Sequence, residues 1–406
     1  MIDQPQGRKL NVLFLHPNFP AQFKHISKDI AQQGHRVKFL CQTHFGRTVD
    51  GVEKIVLKNS AGKEVLDKGN FSIFERSQKL AYQYRMVFEG LKKEGYMPNV
   101  VICHSGWGCG LYVKEVWPET RHISYSEWWF DPQSDFFHYD PENLELNINS
   151  NTIMKSWTRN QSWALEHSNA DYIVTPTNWQ KEQLPKLFRN QCQTIFDGID
   201  VDTFNSSERN QSAKIKKITY GTRGMDPMRC FPQFIMELPN MFSHFPEVVV
   251  EIAGNDEAAY GNVKPNNGKY KSWGTWAKQY LKAKNINERV KWVGYLNGEK
   301  YTQWLHKSDC HIYLTHPFVA SWSLVEAFCC GLPIFTSDIK ATHEICREDP
   351  LTVYTDHRER GFLTKALISM ANRLPQNLEA GKMRSRAAFR FSREFSREQW
   401  ERLWLV

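Results

Sequence analysis

The segment Leu10-Asn11-Val12-Leu13-Phe14-Leu15 is a run of mostly apolar residues, typical of a buried strand. A turn-rich stretch follows, and a helix is predicted from about Ala21 to Gln33, with Gly34 at its C′ position. Residues 36–41 are predicted to form the next strand. A strand, a helix and a strand of these lengths make a β-α-β unit, which implies a parallel sheet. We therefore predict an α/β fold.

The same alternation continues along the chain and restarts once. The further strands are predicted at 99–103, 121–125, 172–175 and 193–196, and then at 215–220, 248–254, 290–293, 310–315, 333–336 and 351–354. Between the two sets, residues 205–212 contain no apolar residue, which is typical of a linker. We predict two open, Rossmann-like parallel-sheet domains, at residues 1–206 and 207–395.

The C-terminal residues 396–406 are predicted to form a helix with an apolar face. Ser396 and Gln399 have the spacing of a capping box, and Trp400, Leu403 and Trp404 follow on one side. Because such a face has to be buried, we expect this helix to pack on the first domain.

The composition narrows the class of protein. The chain has 406 residues and a formal charge of +8, and its nine cysteines include no Cys-x-x-Cys pair. The sequence has no apolar run of the length that spans a membrane, and its start has no signal-peptide core. We therefore predict a cytoplasmic protein without a disulfide framework or a cysteine-based zinc site. The modest positive charge favours a phosphorylated substrate, an anionic membrane surface or nucleic acid as a partner, and an ordinary solvated surface is at least as well supported.

Several enzyme classes lose their main support. The chain has no Gly-x-Gly-x-x-Gly after a first strand, no Walker A motif and no Gly-x-Ser-x-Gly elbow. It also has no glycine-rich loop followed by a strand lysine, as a kinase would have. Ligands of open parallel sheets bind beyond the carboxyl ends of the strands, so the candidate residues are sought there.

Arg223 and Arg229 flank a turn that follows the first strand of the second half. Guanidinium groups bind phosphate oxygens bidentately, so the pair is a candidate diphosphate site. The alternative, an ion pair with Asp226, is about as well supported by the sequence.

Residues 321–333 predict a helix that begins after the N-cap Ser321 and ends before Gly331. Free amides at its start suit an anion, and Glu326 is placed to accept hydrogen bonds from a ribose. By spacing alone, a glutamate that complements the helix dipole is the better-supported alternative.

In the first half, His104 ends one strand and Glu127 follows the next, before Trp128, Trp129 and Phe130. Both side chains are candidates for sugar binding or acid–base chemistry. A hydrogen-bonded interior histidine and an ion-paired glutamate are the respective alternatives.

Taken in order, several motifs resemble a bacterial subgroup of glycosyltransferase family four, over nearly the whole chain. The N-terminal motifs are His16–Phe23, His104–Gly108, Tyr125–Glu127, Thr175–Gln180 and Asp197–Asp200; the C-terminal ones are Arg223–Arg229, Tyr260–Gly261 and Ser321–Pro333.

The resemblance implies a GT-B architecture, with two Rossmann-like domains facing each other, an acceptor mainly on the first domain and a nucleotide-sugar donor on the second. It also implies retaining transfer from a nucleotide diphosphate sugar, with no cofactor and no obligatory metal. On this interpretation Arg223 and Arg229 bind the diphosphate and Glu326 the ribose. On the donor side, Ser321, Trp322 and Ser323 are assigned to the phosphate end, and Gly294 and Leu296 lie beside the base. On the acceptor side, the binding residues are Asn18, Phe19 and Trp107. The catalytic candidates are Glu127 and His104.

The sequence departs from the family pattern at three positions. Phe318 stands where the first of two family glutamates is expected, which leaves the donor sugar open. Glu127 occupies the place where many relatives have a histidine, and Cys230 replaces a common glycine.

The expected partners are the donor and a glycan or lipid-linked acceptor, with peripheral association at the inner membrane face as an option. Two alternatives stay open: a GT-B-like protein that binds nucleotide or glycan without turnover, and a transferase that glycosylates nucleic acid. The second is the weaker one, because no basic tract interleaved with aromatic residues is present.

Overall fold

Two parallel sheets organise the chain, as predicted. The computed structural model describes residues 9–44, 46–57, 72–146, 148–207, 212–260, 264–377, 379–381 and 388–404. Residues 1–8, residues 208–211 of the predicted linker and Gly261 therefore lie outside the described residues.

The first sheet has seven strands: β1 (Asn11–Leu15), β2 (Arg36–Cys41), β3 (Val52–Val56), β4 (Val100–His104), β5 (Arg121–Tyr125), β6 (Tyr172–Thr175) and β7 (Cys192–Thr194). Their order is β3-β2-β1-β4-β5-β6-β7, and all pairs are parallel. Val12 and Phe14 enter one core and Leu13 and Leu15 the other. Both faces of β1 are thus covered, which explains why it is apolar throughout rather than alternating.

The second sheet has six strands: β8 (Lys217–Gly224), β9 (Val249–Asn255), β10 (Val290–Gly294), β11 (Cys310–Tyr313), β12 (Ile334–Ser337) and β13 (Thr352–Thr355). Their order is β10-β9-β8-β11-β12-β13, again with every pair parallel. In each sheet the strand order reverses beside the first strand, at β1/β4 and at β8/β11. These are the switch points at which open α/β sheets bind ligands.

The α-helices of the described residues are α1 (Lys24–Gln32), α2 (Ile73–Lys93), α3 (Val113–Val116), α4 (Asp135–His138), α5 (Ser150–Ser168), α6 (Asn178–Glu182), α7 (Lys186–Arg189), α8 (Phe231–His244), α9 (Trp273–Ala283), α10 (Gly298–His306), α11 (Trp322–Cys329), α12 (Lys340–Cys346), α13 (Phe362–Arg373) and α14 (Arg393–Glu401). None of the helices within these described ranges is long and apolar enough to cross a membrane.

The chain divides into two compact units. Unit 1 runs to Pro132 and also contains Ile153–Gly198 and the C-terminal residues from Arg393; unit 2 contains Gln133–Thr152 and Ile199–Ser392. The division differs from the predicted one because residues 133–152 and 199–206 join unit 2. The 133–152 segment packs there through aromatic contacts, such as Phe136 on Phe318 with ring centroids 5.3 Å apart.

The C-terminal helix returns to unit 1, as predicted. Trp400, Leu403 and Trp404 join the core that contains Val12, and Arg121 Nη1 donates to the Leu403 carbonyl at 2.7 Å. The predicted capping box is wrong, since α14 begins at Arg393. Ser396 lies inside the helix, and its hydroxyl donates to the Phe196 carbonyl at 2.6 Å.

Two other elements depart from what their local sequence indicates. The strand β3 was not predicted, because Val52-Glu53-Lys54-Ile55-Val56 is a short, partly exposed segment at the sheet edge. The helix α8 runs to His244 although Pro239 lies inside it. A proline usually breaks a helix, but here the apolar Met241 and Phe242 are buried beyond it.

Candidate functional site

His104 and Glu127 meet at the β1/β4 switch point of unit 1. His104 is 4% exposed, and its Nδ1–H donates to the Ser105 carbonyl at 3.0 Å. Its Nε2 is also buried and lies 3.5 Å from Glu127 Oε2, while the Glu127 side chain is 38% exposed. The pair consists of a buried imidazole and a carboxylate that solvent, and hence a ligand, can reach.

Two glutamines from separate motifs hold Glu127. Gln22 Nε2 donates to Glu127 Oε1 at 2.9 Å, and Gln180 Nε2 donates to the Glu127 carbonyl. Thr177, the N-cap of α6, anchors Gln180 in turn by donating to its Oε1 at 2.8 Å. Gln22 and Gln180 belong to the motifs His16–Phe23 and Thr175–Gln180 but were not among the predicted site residues. Their role is to orient the carboxylate.

His16 completes the polar end of this site. Its ring lies 4.7 Å from that of His104, and its Nδ1 accepts from the Asn18 amide at 2.8 Å. Burial lowers the pKa of His16 well below its usual value, and the neighbouring His104 lowers it further. His16 is therefore neutral, with its remaining proton on Nε2.

The other predicted acceptor-side residues separate in the structure. Trp107 is 46% exposed and its ring lies 6.3 Å from that of His16, so it is available to a ligand. Asn18 accepts from Thr43 Oγ1 at 2.7 Å. Phe19 is 1% exposed and packs on Phe39, so its ring belongs to the core and does not reach a ligand in this structure.

The aromatic residues after Glu127 are also buried. Trp128 packs on Trp179, and Trp129 packs on Phe188. They anchor the segment that carries the carboxylate and do not form an exposed sugar-binding wall.

Glu166 was missed by sequence analysis, although it shapes the loop after His104. This carboxylate is buried, and it accepts from the backbone amides of Gly106, Gly108 and Gly110. Burial raises its pKa, in opposition to these amide donors. Gly108 has a φ of +83°, and a Cβ there would lie 2.1 Å from the Ser77 carbonyl oxygen, so the loop requires glycine.

Arg229 is the central residue at the β8/β11 switch point of unit 2. It is 7% exposed, and its Nη1 donates to the Tyr313 hydroxyl at 2.6 Å and to Thr315 Oγ1 at 2.7 Å. The Tyr260 ring lies 5.2 Å from the guanidinium carbon. Although burial opposes the charged form, Tyr313 and Tyr260 raise the pKa of Arg229 above its usual range.

The ion pair with Asp226, the alternative considered for Arg229, does not form. The Asp226 carboxylate is fully buried and accepts from the backbone amides of Arg229, Ala259 and Tyr260. Within the described ranges, no carboxylate lies at ion-pair distance from the Arg229 guanidinium. The structure therefore holds a buried cation among neutral hydroxyl groups.

Arg223 lies on the same side of unit 2 but on the surface. It lines a cavity of about 460 Å³ together with Asn255, Asp256, Glu257, Ala258 and Ala259. The strand β8 extends to Gly224, so Arg223 belongs to the strand end and not to the turn.

The helix α11 begins as predicted. Ser321 is the N-cap, and its hydroxyl accepts from the Ser323 amide at 3.3 Å. Trp322 and Glu326 are half-buried. The half-buried Tyr301 has a buried hydroxyl beside Glu326; burial raises the pKa of Tyr301, and the carboxylate raises it further.

The remaining predicted donor residues lie at the end of β10. Gly294 is exposed with a φ of +72°, and Leu296 is half-buried. Phe318, which replaces the family glutamate, contacts Phe136 and Tyr260, so an aromatic cluster occupies that position. Cys230 has a φ of +50°, which is the left-handed region of the backbone. Glycine adopts this conformation most easily, which explains why the family pattern has a glycine at this position.

A second polar cluster in unit 2 was not found by sequence analysis. Asp140, from the 133–152 segment, lies 3.7 Å from both His316 Nε2 and His357 Nε2. The three residues are far apart in the sequence, and no short motif contains two of them.

The fold and the two switch-point clusters together define the protein class: two Rossmann-like parallel-sheet domains, as in GT-B glycosyltransferases. Residues 33–204 match the family model described as glycosyl transferase family 4 group, and residues 233–384 match the one described as glycosyl transferases group 1. The chain therefore belongs to the glycosyltransferases, with a family-four-like first half. Among curated proteins, none matches the sequence.

Solved structures agree with this fold. Sucrose-phosphate synthase from Thermosynechococcus elongatus is similar at 13% identity with a TM-score of 0.71, over 98% of each chain. A glycosyltransferase from Rickettsia africae is similar at 12% identity and a TM-score of 0.67, also over 98% of each chain. Anabaena HepE in complex with UDP-glucose is similar at 12% identity and a TM-score of 0.67, over 97% of this chain and 98% of HepE.

Proposed function

We propose that this glycosyltransferase moves a hexosyl group from a nucleotide diphosphate sugar to a hydroxyl of a glycan or lipid-linked acceptor, with retention of anomeric configuration and without an obligatory metal. Polysaccharide biosynthesis at the cytoplasmic face of a membrane is the setting that the resemblance suggests. The observation that carries the proposal is Arg229, a buried cation whose described partners are neutral hydroxyls. A buried charge is costly when it has no counter-charge, and a diphosphate supplies one.

The donor is assigned to unit 2. Arg229, assisted by Arg223, binds the diphosphate and stabilises the charge that develops on it as the anomeric C–O bond breaks. Glu326 accepts from the ribose hydroxyls, and the amides at the start of α11 bind phosphate oxygens. The complex of Anabaena HepE with UDP-glucose supports a donor of this class.

The acceptor side is assigned to unit 1. Glu127, oriented by Gln22 and Gln180, accepts a hydrogen bond from a sugar or acceptor hydroxyl. The imidazole of His104 lies beside this carboxylate, with Nε2 3.5 Å from Glu127 Oε2. The acceptor oxygen forms the new bond on the face that the diphosphate leaves, and its proton passes to a phosphate oxygen. The protein therefore supplies orientation and charge stabilisation, and no protein nucleophile is needed.

Donor binding tests this assignment. Calorimetry with UDP-, GDP- and ADP-glucose should identify one donor that binds the wild type. Arg223→Ala should weaken that binding by roughly 10–150-fold, because it removes a charge-assisted contact of about 1.5–3 kcal/mol. Glu326→Gln should weaken it as well.

Lys282→Ala is the matched control, since Lys282 is an exposed cation of α9 in the same unit. It should bind the donor as the wild type does. Wild-type affinity in both Arg223→Ala and Glu326→Gln would show that the donor site lies elsewhere.

A further inference from the structure

The cluster of Asp140, His316 and His357 lies wholly in unit 2, and the proposed transfer does not use it. The three residues come from separate elements: Asp140 follows α4, His316 follows β11 and His357 follows β13. One ligand atom of each lies within 4.8 Å of the other two. Two imidazoles and a carboxylate thus converge on one point.

The distances do not fit hydrogen bonds. Both imidazole Nε2 atoms lie 3.7 Å from the same atom, Asp140 Oδ2, whereas a hydrogen bond between these atoms requires about 2.7–3.2 Å. Ligands of a tetrahedral ion bound at about 2.0–2.2 Å are separated by roughly 3.3–3.6 Å. The observed separation is closer to that of two ligands sharing an ion.

Unsatisfied nitrogens provide an independent observation. His316 is 1% exposed and His357 is 4% exposed, and the Nε2 atom of each is buried without a hydrogen-bond partner. A buried polar atom without a partner is destabilising, because it has lost its hydrogen bonds to water. Two such atoms directed at one carboxylate are placed to share a bound cation with it.

The surroundings suit metal ligation. His357 Nδ1 lies 3.5 Å from Cys230 Sγ, a contact that can fix the tautomer with Nε2 free to bind a metal. The Tyr139 ring lies 5.5 Å from that of His316 and 5.7 Å from that of His357. This apolar cover shields one side of the cluster.

We propose that His316, His357 and Asp140 bind one divalent transition-metal ion of the zinc class, which fastens the 133–152 segment to the sheet of unit 2. Imidazole nitrogen and carboxylate oxygen are ordinary zinc ligands, and three protein ligands leave one position for water. The proposal does not depend on the proposed transfer reaction, and the ion takes no part in it.

The His316 backbone links this site to the donor side. Its amide donates to the Met228 carbonyl at 2.9 Å, and Met228 precedes Arg229. Metal binding is therefore expected to stabilise the turn that carries Arg229.

Zinc binding by the full chain tests the proposal. After treatment with a chelator and removal of the chelator, the protein should take up a single Zn²⁺ per chain. Because binding stabilises the native state, a concentration of about 100 times the Kd should raise the melting temperature by roughly 5–10 °C. His316→Gln, His357→Gln and Asp140→Asn should each weaken binding roughly tenfold or more.

His343→Gln is the matched control. His343 Nε2 lies 2.7 Å from Asp338 Oδ1 in the same unit, but this His–Asp pair is exposed and has ordinary hydrogen-bond geometry. The control should bind zinc as the wild type does. Asp140→Asn keeps the proposal testable if a histidine variant fails to fold, because Asp140 lies outside the sheet.

Cobalt substitution distinguishes the ligands. Co²⁺ at this site should give the visible absorption of a nitrogen- and oxygen-ligated ion without a thiolate charge-transfer band. A thiolate band would assign the metal to one of the nine buried cysteines and overturn the proposal. No zinc uptake by the wild type, or equal uptake by the wild type and Asp140→Asn, would also overturn it.

Discussion

Replacing Trp400 by alanine should destabilise unit 1, because this side chain closes one of its cores. Trp400 is 2% exposed and packs in the cluster that contains Val12, Phe14 and Phe39. Truncating a buried tryptophan removes its apolar burial and leaves a cavity, at a cost of about 3–5 kcal/mol. The helix that carries it is further held by the ion pair between Arg393 and Asp29.

In a unit of this size, a loss of 3–5 kcal/mol lowers the melting temperature by roughly 6–20 °C. Thermal melts followed by near-ultraviolet circular dichroism measure this shift. A chain truncated after Glu398, which also loses Trp404, should be at least as unstable. The control is Glu398→Ala, since Glu398 is exposed on the same helix and its removal should change the melting temperature little. If the Trp400→Ala protein has the same melting temperature as the wild type, the packing of the C-terminal helix described above is refuted.

Three other predictions concern buried or half-buried titratable groups. Glu127→Gln should reduce turnover by roughly 10²–10⁴-fold with little change in melting temperature, because the side chain is 38% exposed; near-normal turnover would direct attention to His104. Glu166→Gln should cost about 1–3 kcal/mol, because an amide nitrogen would face the glycine N–H groups; an equal melting temperature in Glu166→Gln and the exposed control Glu119→Gln would contradict this. Burial lowers the pKa of His167 and of His311 from 6.5 to about 3, so the native state keeps both neutral. Because both histidines take up a proton more readily in the unfolded chain, the free energy of unfolding falls as the pH drops below 6.5. At pH 5.5 each histidine lowers it by about 1.4 kcal/mol. The drop in melting temperature from pH 7.5 to 5.5 should therefore shrink in His167→Gln and His311→Gln, and an unchanged drop would disprove the linkage.

The sheets and the strand-end residues were predictable because their signals are local. Apolar runs such as 10–15 specify buried strands, and the carboxyl ends of parallel strands meet at one edge of the sheet. His104 and Glu127 could thus be placed near each other from the sequence alone. The edge strand β3 lacked the signal, because Glu53 and Lys54 interrupt its apolar residues.

The residues that sequence analysis missed act through contacts between distant segments. Glu166 lies in the last turn of α5, and only the fold brings it under the glycine loop that follows His104. Asp140 lies in a segment that was assigned to the first domain but packs in unit 2. A pattern within a short window does not report such contacts. The burial of Phe19 was missed for the same reason, since its partner Phe39 belongs to the next strand.

Turnover of a nucleotide sugar is the measurement that tests the central claim most directly. Wild-type protein should release the nucleoside diphosphate from one of UDP-, GDP- or ADP-glucose, slowly with water as acceptor and faster with a glycan or lipid-linked sugar. Glu127→Gln should bind that donor with unchanged affinity and release the diphosphate far more slowly. If the wild type binds a donor but releases no diphosphate with any of these acceptors, the account is contradicted. The protein would then be a nucleotide-sugar-binding protein.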